Sequence, residues 1–240
     1  PDGYTLLMPN DGIMAANPAL YARLPYDPIK DFTAVTLTST VPLVLVAHPA
    51  FPAASVQEFL ALAKSKPGSI NYTSTGSGSA QHLAMELLID AAGLKLTHVP
   101  HKAMGVALTD LMAGTIPVMF TGISNVVGLA KEGKVKVLAI STAKRSPVMP
   151  QVPTLAEAGV AGYGYAAWNG IVAPAGTPRA MIARLNTELN RALAEPGLQQ
   201  KLAAIGAEPA GGTPEDFAKF IRSEYAKWGD VVRKSGAKMD

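Results

Sequence analysis

The sequence predicts an α/β fold. Short apolar segments bounded by Pro or Gly alternate with segments whose apolar residues recur at helical spacing. Several of the short segments are apolar on both faces, the pattern of a mostly parallel sheet covered by helices. The last third is mainly helical, unlike the middle. That asymmetry suggests a chain that leaves one domain, builds a second and returns.

Asp2-Gly3 reads as a turn and residues 4–8 as a first strand. Residues 32–38 and 41–47 read as two strands. Ser55-Val56-Gln57-Glu58 is a capping box opening a helix. Strand 70–73 runs through a glycine-hydroxyl loop into a helix from Ser79 to Ala92, which Gly93 stops in a left-handed conformation. Strand 96–99 is followed by a helix over 106–113, closed by Gly114. Residues 116–121 and 135–141 are strands, and the Pro- and Gly-rich stretch 146–164 is an ordered crossing loop. Within it, Thr154-Leu155-Ala156-Glu157 reads as a second capping box. Residues 170–173 form the last strand. Thr177-Pro178 supplies an N-cap and an N1 proline for a helix carrying Met181, Ile182, Leu185, Leu189 and Leu193 on one stripe. Thr213-Pro214 repeats the device before a helix of about 20 residues that closes at Gly236.

Composition narrows the function classes. The chain has 240 residues, 48% apolar and 16% charged, which suits one large or two small globular domains. There is no cysteine, which removes disulfides, zinc ribbons, iron–sulfur clusters and cysteine catalysis. The net charge is +3, but no basic run exceeds Lys144-Arg145 and aromatics are 6%, so the footprint of a nucleic-acid surface is missing. Apolar runs such as 41–47 are far shorter than the ~20 residues that span a bilayer. The chain opens on Pro1-Asp2-Gly3-Tyr4, and its first element reads as the middle of a domain; further sequence is therefore expected upstream.

The most informative stretch is the loop between strand 70–73 and its helix: Thr75, Gly76, Ser77, Gly78, Ser79, then Ala80. Such a loop presents backbone N–H groups and hydroxyls beside the positive end of a helix dipole, a site for an anion. A plain βα turn with a Ser79 N-cap is the alternative. The loop is neither a Walker A sequence, a dinucleotide G-x-G-x-x-G, nor a G-x-S-x-G nucleophile elbow. His82 and Glu86 are one helical turn apart, and His98 and His101 flank Pro100, but nothing predicts convergence of three or four metal ligands. His82 is expected to cap or line the helix start, and His98 to be half-buried on a strand. Asn10, Asp11 and Gly12 follow the first strand, and Thr121 follows strand 116–121; each is either an ordinary turn position or part of a ligand edge. Trp168 is a core, hinge or ligand-wall residue. No catalytic triad or paired carboxylates emerge. These residues favour a protein that binds a small anion without cofactor or metal. An α/β enzyme acting on a small phosphorylated or carboxylated metabolite, with His82 or His101 as base, and an assembly module without ligand are the competing readings.

The chain also resembles a known family. The resemblance runs through Asp2-Gly3-Tyr4-Thr5-Leu6-Leu7, Leu24-Pro25-Tyr26-Asp27-Pro28, Lys30-Asp31-Phe32, Gly76-Ser77-Gly78-Ser79 with His82-Leu83-Ala84, and His98-Val99-Pro100. It continues through Asp110-Leu111-Met112-Ala113-Gly114, Val152-Pro153-Thr154, and Trp168-Asn169-Gly170 with Ala173-Pro174-Ala175-Gly176-Thr177-Pro178. In order and spacing these are similar to the substrate-binding proteins of tripartite tricarboxylate transporters, the Bug family. The resemblance implies a two-lobed, type II periplasmic-binding-protein-like clamshell, each lobe a mostly parallel sheet flanked by helices. One lobe would hold residues 1–41 and 166–240, the other 42–165. It implies a periplasmic, non-enzymatic receptor that takes a small organic mono- or dicarboxylate between the lobes and delivers it to membrane permease subunits. The loop from Thr75 to Ala80 would hold the carboxylate, Asn10 to Ile13 would face it, and Thr121 would help to close the site. Family members carry a further strand and ligand loop upstream. Two departures stand out: His101-Lys102-Ala103 replaces the usual Tyr-Lys-Gly, and Pro117 replaces an aspartate.

Overall fold

The computed structural model describes residues 1–235, so the expected stop at Gly236 lies outside the described residues. The chain divides into two compact units, Pro1–Val41 with Ala167–Asp240, and Pro42–Ala166.

The second unit is built on the long strand β1 (Phe32–Ala47), of which it holds residues 42–47, with β2 (Asn71–Ser74), β3 (Thr97–Pro100), β4 (Val118–Gly122) and β5 (Lys136–Ile140). The strand order is β3-β2-β4-β1-β5. Helices α2 (Val56–Ser65), α3 (Ala80–Ala92), α4 (Met104–Ala113) and α5 (Ile123–Lys131) connect the strands. β2 lies parallel to β3 and to β4, with Tyr72 opposite both His98 and Val118. β1 runs antiparallel to β4 and β5, with Leu45 opposite Phe120 and Ala139. The sheet is therefore mixed. Helical crossovers set β2, β3, β4 and β5 in one direction, and β1 inserts between β4 and β5 in the other. β1 is apolar on both faces. Val44 and Val46 join a core with Leu111, Met119, Val126 and Ile140. Leu43 and Leu45, one residue out of phase, are equally buried.

The first unit holds residues 32–41 of β1, with β6 (Ala166–Pro174) and β7 (Glu208–Pro209), both paired to β1. Its helices are α1 (Asn17–Leu20), entered through a π-helical turn at Gly12–Ala16, then α6 (Arg179–Leu193), α7 (Pro196–Ala204) and α8 (Pro214–Ser235). Met14, Trp168, Val172, Phe217 and Ile221 form the core between that turn, β6 and α8.

Several local expectations hold because they depend on local chemistry. Ser55 accepts from the Glu58 N–H at 3.2 Å, and Gly93 and Gly114 end α3 and α4 at φ 63° and 74°. Thr213 Oγ1 accepts from the Asp216 N–H at 3.1 Å and opens α8. Others differ. Residues 32–38 and 41–47 are one strand, because Ser39 and Thr40 continue the ladder by pairing with Pro209 and Glu208. Of residues 4–8 only Leu7 joins a sheet, exchanging two 2.9 Å bonds with Val172, and Tyr4, Leu6 and Met8 remain exposed. The Thr154–Glu157 box forms, with bonds of 2.9 and 3.1 Å, but closes a single turn and no helix follows. Pro178 is the N-cap of α6 and not its N1 residue, and Thr177 Oγ1 donates back to the Pro174 carbonyl at 2.8 Å.

Candidate functional site

β3, β2 and β4 all point the same way, and each hands over to a helix at its carboxyl end: α4, α3 and α5. The N-termini of three helices thus border one edge of one sheet. Each has first-turn N–H groups without intrahelical partners and the positive end of its dipole there. This edge is where open α/β sheets bind ligands. It gathers the loop from Thr75 to Ala80 together with Thr121, as members of a single unit.

The loop is ordered by its own bonds. Ser79 Oγ donates to the Gly76 carbonyl at 2.7 Å and accepts from the His82 N–H at 3.4 Å, so its hydroxyl is the N-cap of α3. The Gly76 N–H donates to Ser74 Oγ, the Gly78 N–H to His82 Nδ1 at 3.2 Å, and the Ser79 N–H to the Gly76 carbonyl. Thr75 Oγ1 donates to Gln81 Oε1 at 3.0 Å. Gly76 (φ 120°) and Gly78 (φ 78°) adopt backbone conformations that other residues rarely take, which lets the chain turn so tightly. Among the described residues, the N–H groups of Thr75, Ser77, Ala80 and Gln81 and the Ser77 hydroxyl have no protein partner. The hydroxyls of Thr75 and Ser79 are therefore structural, and the groups left without a protein partner are four amides and one hydroxyl. Gln81, at the second helical position, is the residue sequence reasoning passed over. Its place just after the Ser79 cap was the available signal.

Thr121 is fully buried. Its Oγ1 accepts from Asn125 Nδ2 at 3.0 Å and lies 3.5 Å from Met104 Sδ at the start of α4. It ties two helix starts together. Behind the loop sits a buried polar cluster. His82 stacks on His98 with ring centres 4.3 Å apart, and His98 stacks on Tyr72 at 4.8 Å. Tyr72 OH donates to Glu86 Oε1 at 2.6 Å, and Ser74 Oγ lies 2.7 Å from His98 Nε2. Burial pulls His82 down to about 3, helped by His98, and His98 down to about 4. Burial also raises Glu86 and Tyr72 above their ordinary values. Both imidazoles are neutral at pH 7, so neither supplies a positive charge to the edge. His101 is set apart, pairing with Asp110 at 2.8 Å.

In the first unit, Asn10 bridges Asn169, and its Oδ1 accepts from the Ile13 N–H at 3.0 Å. Buried Asp11 accepts from the Gly12 N–H at 2.9 Å. Asn10, Asp11 and Gly12 thus open the π-helical turn, and the first two cap it with side-chain oxygens. Trp168 is 1% exposed, with Phe217 and Phe220 against its ring edge-on. It is a core residue. No group of three or more metal-ligating side chains forms among the described residues.

This fold is that of the type II periplasmic binding proteins. R. palustris Rpa4515, solved with adipate, superposes at TM-score 0.85 with 36% identity, covering 98% of this chain and 79% of that one. MatC from Rhodopseudomonas palustris, solved with bound malate, superposes at 0.82 with 36% identity, covering 96% and 80%. The periplasmic binding protein BugD superposes at 0.83 with 30% identity. BugT of Bordetella pertussis is 34% identical over 239 residues, 99% of this chain and 73% of its own. The model of the tripartite tricarboxylate transporter family receptor matches residues 1–237, and the chain belongs to that family. It is a solute-binding receptor and not an enzyme, which settles the competition left open by the residues alone.

Proposed function

We propose that this chain is a periplasmic receptor that captures a small organic mono- or dicarboxylate at the carboxyl edge of β3, β2 and β4, for delivery to membrane permease subunits of a tripartite tricarboxylate transporter. The observation that carries the site is the set of unpartnered N–H groups at Ser77, Ala80 and Gln81, at the mouth of α3. Family membership supports the transport role, and the adipate and malate held by two similar proteins support the ligand class. A carboxylate there would accept from backbone donors that need no rearrangement. Each such charge-assisted bond is worth roughly 1.5–3 kcal/mol, so a receptor can hold an anion without burying Arg or Lys. Asn10, Asp11 and Gly12 are proposed as further ligand-facing positions on the first unit, and Thr121 as a support of the edge.

The test is calorimetric titration with a panel of mono- and dicarboxylates, on the wild type and on Ala80→Pro. Proline is tolerated at the first helical position, and Ser79 (φ −68°, ψ 155°) already has the conformation a following proline requires. The substitution removes one free N–H and little else. Binding of at least one acid, weakened about tenfold or more in Ala80→Pro, is the expected result. Silence across the panel overturns the ligand class, and equal affinity in the variant overturns the site.

A further inference from the structure

We infer that His82 is the positioning residue of the ligand loop: its neutral Nδ1 accepts the Gly78 N–H and thereby holds the donors around Ser77 in place. The inference rests on the carboxylate reading only for its ligand readout. Its geometry stands alone. Gly78 lies between the open N–H groups of Ser77 and Ala80. Its own N–H turns inward to a side chain one helical turn away, at 3.2 Å. The bond determines the tautomer. Nδ1 must be bare to accept, so Nε2 carries the proton, and Nε2 faces Glu86 Oε1 at 3.7 Å.

The groups around the ring enforce this state. Tyr72 on β2 holds the same Glu86 oxygen at 2.6 Å, which fixes the carboxyl group beneath Nε2. His98 on β3 covers the ring face at 4.3 Å. Tyr163, from the crossing loop, donates to the Ala84 carbonyl of the same helix at 2.8 Å. β4, also packed on α3, contributes no titratable side chain. A proton on Nδ1 would set two donors against each other and break the loop's inward anchor. Burial holds His82 down to about 3, so the acceptor persists across pH 5–8, where an exposed imidazole changes charge.

Two near-isosteric variants separate the roles of the two ring nitrogens. Asparagine places its Oδ1 where Nδ1 stands, and glutamine places its amide near Nε2. In 15N-labelled full chain, the Gly78 amide is expected to be protected from exchange in wild type and His82→Asn, and unprotected in His82→Gln. Titration with malate and adipate is expected to show affinity about tenfold weaker in His82→Gln and within about threefold of wild type in His82→Asn. The wild-type 15N signal of His82 Nδ1 at pH 7 should be that of an unprotonated nitrogen. A protonated Nδ1, or Gly78 protection that is equal in all three proteins, overturns the inference without need of any ligand. So does loss of protection with unchanged affinity. If neither acid binds the wild type, that ligand reading fails, while the Gly78 and Nδ1 measurements still decide the role of His82.

Discussion

Phe217 occupies the space that a side chain on Gly170 would need. A Cβ built on Gly170 would lie 2.0 Å from the ring Cζ, with two more ring carbons within 3.0 Å. Gly170 does not have a positive φ, so the requirement for glycine is purely steric. The same ring packs edge-on against Trp168 at 5.7 Å, which leaves it little room to retreat. Gly170→Ala should therefore destabilise the first unit by about 1–3 kcal/mol. Phe217→Leu should be destabilising alone yet partly rescue Gly170→Ala. Denaturant melts of the two single variants and the double variant give the coupling; strict additivity would refute the steric account.

A second prediction concerns acid. An unfolded imidazole takes up its proton near 6.5, whereas folded His98 and His82 refuse theirs until about 4 and about 3. Above pH 6.5 the two states bind equal numbers of protons. Below it the unfolded chain binds more, so this contribution to stability is complete above 6.5 and falls as pH drops toward 4 and 3. Glu86 acts in the opposite sense. Its raised folded value means that its contribution is present at low pH and is lost as pH rises through that value. The melting temperature should fall between pH 7 and pH 4.5, and His98→Asn should flatten that slope even while lowering stability at pH 7. A slope unchanged in the variant would remove His98 from the account.

Local chemistry was readable in the sequence, and tertiary partnership was not. The Ser79 cap and the Gly93 and Gly114 stops require only neighbours within a few residues, and each stands as read. The continuity of β1 was hidden because polar Ser39 and Thr40 separate the two apolar runs, whereas both are held in the ladder by β7 from a distant part of the chain. α5 was missed for another reason. It begins directly after Gly122, the last residue of β4, with no side-chain cap, so the apolar strand before it gives no warning. The π-helical turn after Asn10 looked like an Asx turn because Asn10 and Asp11 do cap backbone donors there. At the candidate site, the glycine-hydroxyl loop was visible as a source of donors. Which hydroxyls the loop consumes internally depends on Gly76, Gln81 and His82 folding back on it.

That internal use can be separated from ligand binding at Ser79. Ser79→Ala loses the bond to the Gly76 carbonyl and the cap on the His82 N–H, at a cost of about 1 kcal/mol. Ser79→Asp restores a cap and adds a charge that the helix dipole favours. Thermal melts should place the aspartate variant above the alanine variant. Malate or adipate titration should reverse the order, because a carboxylate at the loop repels a second one. An aspartate variant that binds as well as the alanine variant would move the anion away from this helix.

Ser141 supplies the last prediction. Fully buried just beyond β5, its Oγ accepts from the Leu43 N–H at 2.9 Å and donates to the Tyr165 carbonyl at 2.7 Å. Its backbone binds the same two residues, donating to the Leu43 carbonyl and accepting from the Tyr165 N–H, both at 2.8 Å. One serine thus stitches β1 to the segment that leads out of the second unit. Alanine fits the space but leaves the Leu43 N–H without its acceptor in a site closed to water, at a cost of about 1–3 kcal/mol. Hydrogen exchange should locate the damage. The Leu43 amide should lose protection in Ser141→Ala, while the Val46 amide, deeper in the same strand, stays protected relative to it. Uniform loss along β1 would mean that Ser141 acts through general packing and not through these bonds.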